Sequence, residues 1–118
     1  MVFDDAEIVS EYTAREAVQD GILVDITRIS TAWEKGLFNY ATVNLLDKGY
    51  LDGEQANLAN IQDLLFQAFL IVKRKSNNFT EHDWFFSGDI ELPDGQKQQI
   101  FIQQNETGRF TLMLPEDY

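Results

Sequence analysis

The sequence predicts an α+β fold, with N-terminal short helices and a long central helix packed on a C-terminal three-stranded antiparallel meander. Three observations predict it. From Glu54 to Lys75, Leu58, Ile61, Leu65, Ala68, Phe69 and Val72 recur three and four residues apart, which stacks them on one helix face. After Lys75 the period drops to two in DWFFSGDIEL, QKQQIFIQQ and RFTLMLP, the alternation of half-buried strands. Pro93-Asp94-Gly95 and Asn105-Glu106-Thr107-Gly108 then supply tight turns between consecutive strands. No repeat, low-complexity tract or linker interrupts the 118 residues, so 1–118 reads as one domain.

Taken in order, residues 1–12 are acidic around Ile8, Val9 and Tyr12, which suits a short strand or an ordered arm. Thr13 with Glu16 three residues on is a capping box, opening a short helix over Ala14 to Gln19 that Gly21 ends. Ile22 to Thr27 is an apolar, branched run with Asp25 inside it, either a short buried strand or an extended link. Thr27 or Ser30 caps a helix through Trp33, whose ring reads as a core anchor, and Gly36 stops it. Leu37 to Tyr40 reads as a turn-rich joint, and Thr42 as the cap of a helix over Val43 to Lys48 closed by Gly49.

In the long helix, Leu64, Phe66, Leu70 and Ile71 widen the apolar stripe until its C-terminal half is apolar almost all round. That pattern predicts a central helix covered on more than one side. Twenty-two residues at about 1.5 Å each give roughly 33 Å, enough to cross a small domain. By period-two counting Trp84, Phe86, Ile90, Leu92, Ile100, Ile102, Phe110, Leu112 and Leu114 share one sheet face, the seat for that helix. The opposite face carries Ser87, Asp89, Glu91, Gln99 and Gln103, and also Phe85, Phe101 and Met113, one on each strand. Either the N-terminal residues or a short helix cover these three, or they mark a contact surface for a partner or for self-association.

Twenty acidic against nine basic residues give a net charge of −11, which repels a phosphate backbone and argues against direct nucleic-acid binding. The excess acid is either a solvated surface or a negative face offered to a basic protein. Hydrophobic residues at 44% supply a core. Cysteine is absent, which removes disulfides and thiolate chemistry. The acidic N-terminus lacks the basic, then apolar, order of a signal peptide, and the longest apolar run, Phe69 to Val72, is too short to span a bilayer. A cytoplasmic protein with no membrane contact is expected.

Catalytic motifs are sparse. His82 is the only histidine, and strand alternation turns Glu81 and Asp83 away from it. The sequence contains no GxSxG elbow, no GxGxxG and no GxxxxGK[ST]. Asp47 to Glu54 only loosely follows a calcium-loop spacing and reads as a turn-rich join. Lys73-Arg74-Lys75, the only basic cluster, complements the helix macrodipole. Asp20 and Asp25, flanking Ile22-Leu23-Val24, are the carboxylates to consider for chemistry, against structural roles in a turn and as a helix cap. No catalytic, cofactor-binding or metal-ligating residue is expected.

Tyr12-Thr13, Ala17, Asp20-Gly21 and Leu23-Val24-Asp25 form a YT-x3-A-x2-DG-x-LVD opening, and Leu112-Met113-Leu114-Pro115-Glu116-Asp117 an L-x-LPED ending. With Gly36-Leu37-Phe38 and the long helix, this resembles a domain-of-unknown-function family of small proteins of bacteria, phages and plasmids. The segment from Tyr40 to Glu54 departs from that family's pattern. The resemblance implies a mobile-element context and no particular activity. Charge, motifs and resemblance together suggest a small acidic protein that acts by binding another protein, with a homodimer also open. Its sharpest form is an anti-defence inhibitor or nucleic-acid mimic directed at a basic nucleic-acid-handling protein. The candidate contact residues are Asp4, Asp5, Glu7, Glu11, Glu16, Asp20, Phe85, Phe101 and Met113. Two alternatives remain open: a metal-dependent hydrolase or ligand-binding domain using Asp20 and Asp25, and a structural protein forming oligomers through its sheet.

Overall fold

The computed structural model describes residues 13–75 and 84–118. The chain starts with helix α1 (Ala14–Gln19), strand β1 (Leu23–Asp25) and two 3-10 turns (Ile26–Arg28 and Thr31–Trp33). Strand β2 (Phe38–Thr42), helix α2 (Val43–Leu46) and a ribbon of β3 (Leu51–Asp52) and β4 (Gln55–Ala56) follow. Helix α3 (Leu58–Lys75) leads to strands β5 (Phe85–Glu91), β6 (Lys97–Gln104) and β7 (Phe110–Met113), and a last 3-10 turn (Pro115–Asp117).

The expected architecture is overturned at the sheet. β5, β6 and β7 do form the antiparallel meander, but it is part of a mixed sheet of five strands ordered β1-β2-β7-β6-β5. β2 runs parallel to β7, with Phe38 opposite Phe110 and Ala41 opposite Leu112, and β1 adds antiparallel to β2. Of the segment Leu37 to Tyr40, expected as a joint, Phe38 to Tyr40 are therefore the first residues of a strand. In Phe38–Thr42 all residues but Tyr40 are buried, so polar Asn39 and Thr42 sit inside and no alternation marks the strand.

Long-range polar contacts hold β2 there. The Asn39 side chain donates to Thr107 Oγ1 (3.0 Å) and accepts from Asn105 Nδ2 (2.8 Å), which also donates to Thr111 Oγ1 (3.0 Å). This satisfies a buried amide that would otherwise cost about 1–3 kcal/mol. Arg109 reaches the other way: Nε donates to the Gly36 carbonyl (2.8 Å), and Nη2 to those of Trp33 (3.1 Å) and Phe38 (3.3 Å). One planar fork thus orders the whole approach to β2.

Several local signals in the sequence match the observed boundaries, but the helix expected through Trp33 is two separate 3-10 turns and the helix expected over Val43 to Lys48 ends at Leu46. Thr13 and Glu16 form the capping box, and Gly21 takes the positive φ of +77° that ends α1. Asp25 and Ser30 cap the two 3-10 turns, and Thr42 caps α2. The long helix starts four residues later than its pattern suggests, because Gln55–Ala56 pairs with Leu51–Asp52 and Asn57 Oδ1 takes the Asn60 N–H (3.0 Å) as cap.

α3 buries one face. Ile61, Leu64, Ala68, Ile71 and Val72 belong to the core cluster with Phe86, Ile90, Ile100, Ile102 and Leu112 of the sheet. The expectation that α3 is covered on more than one side is corrected: Leu58, Phe66 and Phe69 are exposed. Contact with β5 is close at Gly88, where a Cβ would stand 2.8 Å from Ile71 Cδ1 and displace that side chain. α3 also guards the outer edge of β5. Gln67 donates to the Glu91 carbonyl (3.0 Å) and accepts its N–H (2.8 Å), while Lys75 Nζ donates to the Ser87 carbonyl. Eight helical residues rise about 12 Å and four strand residues about 13 Å, so the two anchors match their two targets. Backbone groups that an edge strand would offer to another chain are thereby occupied at both positions.

Candidate protein-binding surface

The outer face of the meander gathers aromatic rings. Strand alternation puts Phe85, Phe101 and Met113 on the side away from α3, and the register sets Phe101 opposite Met113 and, on its other side, Ser87. Phe85 and Phe101 are diagonal neighbours whose rings meet edge to face at 5.1 Å. Tyr118 closes the group, 5.4 Å from Phe85 and 5.5 Å from Phe101, again edge to face, and Trp84 adds a tilted contact with Phe85 at 5.8 Å. Such contacts contribute about 0.5–1.5 kcal/mol each beyond the area they bury. Met113 is buried and the two phenylalanines are half-buried, whereas Trp84 remains 46% and Tyr118 66% exposed.

Tyr118 reaches this face because the last turn is fixed to the N-terminal half of the chain. The Asp117 carboxylate accepts from Thr42 Oγ1 (2.8 Å), Asn44 Nδ2 (2.8 Å) and the Leu114 N–H (3.3 Å). Further along the same face β5 presents Asp89 and Glu91, both exposed, opposite Gln99 and Lys97. An aromatic patch is thus continued by carboxylates. On the β7 side, the Ala14 N–H donates to both oxygens of Glu106 (3.1 and 3.2 Å), anchoring the start of α1 to the β6–β7 turn. Ala14 and Ala17 then line, with Gln103, Thr111 and Met113, an open cleft of about 520 Å³.

The acidic candidates do not join this group. Asp4, Asp5, Glu7 and Glu11 lie outside the described residues, as does His82. Glu16 is exposed but works within the capping box, accepting the Thr13 N–H at 3.0 Å. Asp20, also exposed, ends α1, its N–H donating to the Glu16 carbonyl. Asp25 accepts from the Thr27 N–H (3.0 Å) and hydroxyl (2.5 Å) and lies 3.8 Å from Arg28 Nε. That is a structural cap. Among the described residues no three His, Cys, Asp or Glu side chains are placed to hold a metal ion.

One buried titratable group stands apart from all of this. Tyr50 is 1% exposed and its hydroxyl has no hydrogen-bond partner. Burial, and then the nearby carboxylates of Asp63 and Asp94, push its pKa up to about 12. The phenol therefore stays neutral, and its role is packing.

Reasoning from sequence found Phe85, Phe101 and Met113 by alternation and missed two partners. Trp84 falls by counting on the helix-covered face, and its carbonyl accepts the Gln104 N–H (2.8 Å), yet its ring is exposed and meets that of Phe85. Tyr118 follows a proline with no periodicity to place it. No family model matches the chain, and no match was found among curated proteins or solved structures. No helix among the described residues is long and apolar enough to cross a membrane.

Proposed function

We propose that this is a small acidic protein that acts by binding a basic, nucleic-acid-handling protein, using the outer face of its sheet. The single observation behind this reading is the cluster of Trp84, Phe85, Phe101 and Tyr118, with Trp84 and Tyr118 still partly in water and Asp89 and Glu91 further along the same face. Exposed aromatics on a rigid strand platform make strong anchors at low conformational cost. The carboxylates further along the face favour a cationic partner and speed its approach. The net charge of −11 supports the same choice. In the mobile-element context suggested by the family resemblance, its sharpest form is an anti-defence inhibitor that occupies a site otherwise filled by nucleic acid.

The test is capture from a bacterial lysate on immobilised protein at low ionic strength. Basic nucleic-acid-binding proteins are expected to be retained, then released by added duplex DNA or by raised salt, since ion pairs are screened within about 10 Å at 0.1 M salt. Retention of nothing, or of proteins that DNA does not displace, contradicts the reading.

A further inference from the structure

We propose that α3 carries a second, self-complementary interface, along which two copies of this chain pair antiparallel; the proposal is independent of the reading of the outer sheet face. Leu58, Phe66 and Phe69 are 50%, 59% and 46% exposed on one helix. At 100° per residue they fall with Gln62, Leu65 and Lys73 in one stripe, beside the buried face of Ile61, Leu64, Ala68, Ile71 and Val72. The stripe runs about 22 Å along the helix. Ala32, Trp33 and Leu37 form the far wall of an apolar groove of about 290 Å³ that Leu65, Phe66 and Phe69 border on the near side. Groove and projecting rings therefore lie next to each other on the same molecule.

The spacing of the stripe accommodates a second copy as occupant. About the midpoint between Leu65 and Phe66, Leu58 is the counterpart of Lys73, Gln62 of Phe69, and Leu65 of Phe66. An antiparallel copy meets such a stripe in register along its whole length, as a two-fold, isologous contact requires. Phe66 and Phe69 of each copy then enter the groove walled by Trp33 and Leu37 of the other. Charge points the same way. Lys73, the member of the Lys73-Arg74-Lys75 cluster that falls in the stripe, lies at one end, while Lys75 is held on the Ser87 carbonyl. At the other end the β3–β4 turn exposes Asp52 and Glu54. Antiparallel pairing sets each basic end against the other copy's acidic turn and opposes the helix dipoles favourably.

Sedimentation equilibrium from about 1 µM to about 1 mM covers the affinity range of weak and moderate dimers. The mass is expected to rise from 13.6 kDa to twice that value. Phe66→Glu, at an exposed position, is expected to stay monomeric throughout with an unchanged circular dichroism spectrum. Lys73→Glu is expected to raise the dimer Kd about tenfold, and Glu54→Lys added to it to restore much of the loss. A single monomeric mass across the range overturns the proposal and leaves the stripe to a partner of different sequence. A dimer that persists in Phe66→Glu overturns it as well.

Discussion

The two faces of the sheet are built from the same strands but differ in what they bury and how. On the α3 side Ile90, Ile100, Ile102 and Leu112 are aliphatic, almost fully buried and matched to aliphatic residues of the helix. On the outer side the large residues beside buried Met113 are aromatic, contact one another, and grade from half-buried Phe85 and Phe101 to exposed Tyr118. Aliphatic side chains gain by complete removal from water, whereas aromatic rings in partial contact retain area that a second molecule can cover. The first face specifies the fold. The second is organised but unfinished, which is why we assign contact to it.

Substitutions sharpen this contrast. The largest effect is expected on the helix-covered side: Ile102→Ala, at the centre of β6, should lower stability by about 3–4 kcal/mol in urea unfolding through lost burial and the cavity left behind. A loss below about 1 kcal/mol would mean that α3 does not pack there as described. Next comes pH. Tyr50 has its pKa raised to about 12 in the folded chain against 10.0 for the free side chain. The stabilisation from its neutral form is complete below pH 10 and is lost as the pH rises toward 12. Two units amount to about 2–3 kcal/mol of alkaline destabilisation. In Tyr50→Phe this component should vanish while stability at pH 7 stays equal or improves, since an unpartnered hydroxyl is removed from the core. An identical alkaline decline in both proteins would place its origin elsewhere. The smallest effect belongs to the outer face, where Trp84→Ala and Tyr118→Ala should each cost about 1–2 kcal/mol, because partly exposed rings lose edge-to-face or tilted contacts but little buried area.

The same contrast explains what could be read in the sequence. The meander was legible because its strands are consecutive, alternate with period two and are joined by Pro93-Asp94-Gly95 and Asn105 to Gly108. Capping at Thr13, Asp25 and Thr42 was legible because a cap is a contact between residues two or three apart. β2 was not, because its pairing joins Phe38 to Phe110 and its polar residues are paid for by Asn105, Thr107 and Asp117 some 66 to 75 residues away. Thr42 added to the concealment, as the residue that starts α2 also ends β2. Within the candidate surface, Phe85 and Phe101 followed from alternation alone. Tyr118 depended on a carboxylate, Asp117, anchored on Thr42 and Asn44, a contact that no local pattern encodes.

The central claim is that the outer aromatic face contacts the partner while α3 does not. It is tested most directly by repeating the lysate capture with the Trp84→Ala/Tyr118→Ala double variant beside Phe66→Glu. The account predicts that the first loses the DNA-displaceable basic proteins while retaining its fold, and that Phe66→Glu holds them as the unmodified chain does. Equal capture by the double variant, or loss confined to Phe66→Glu, would contradict it.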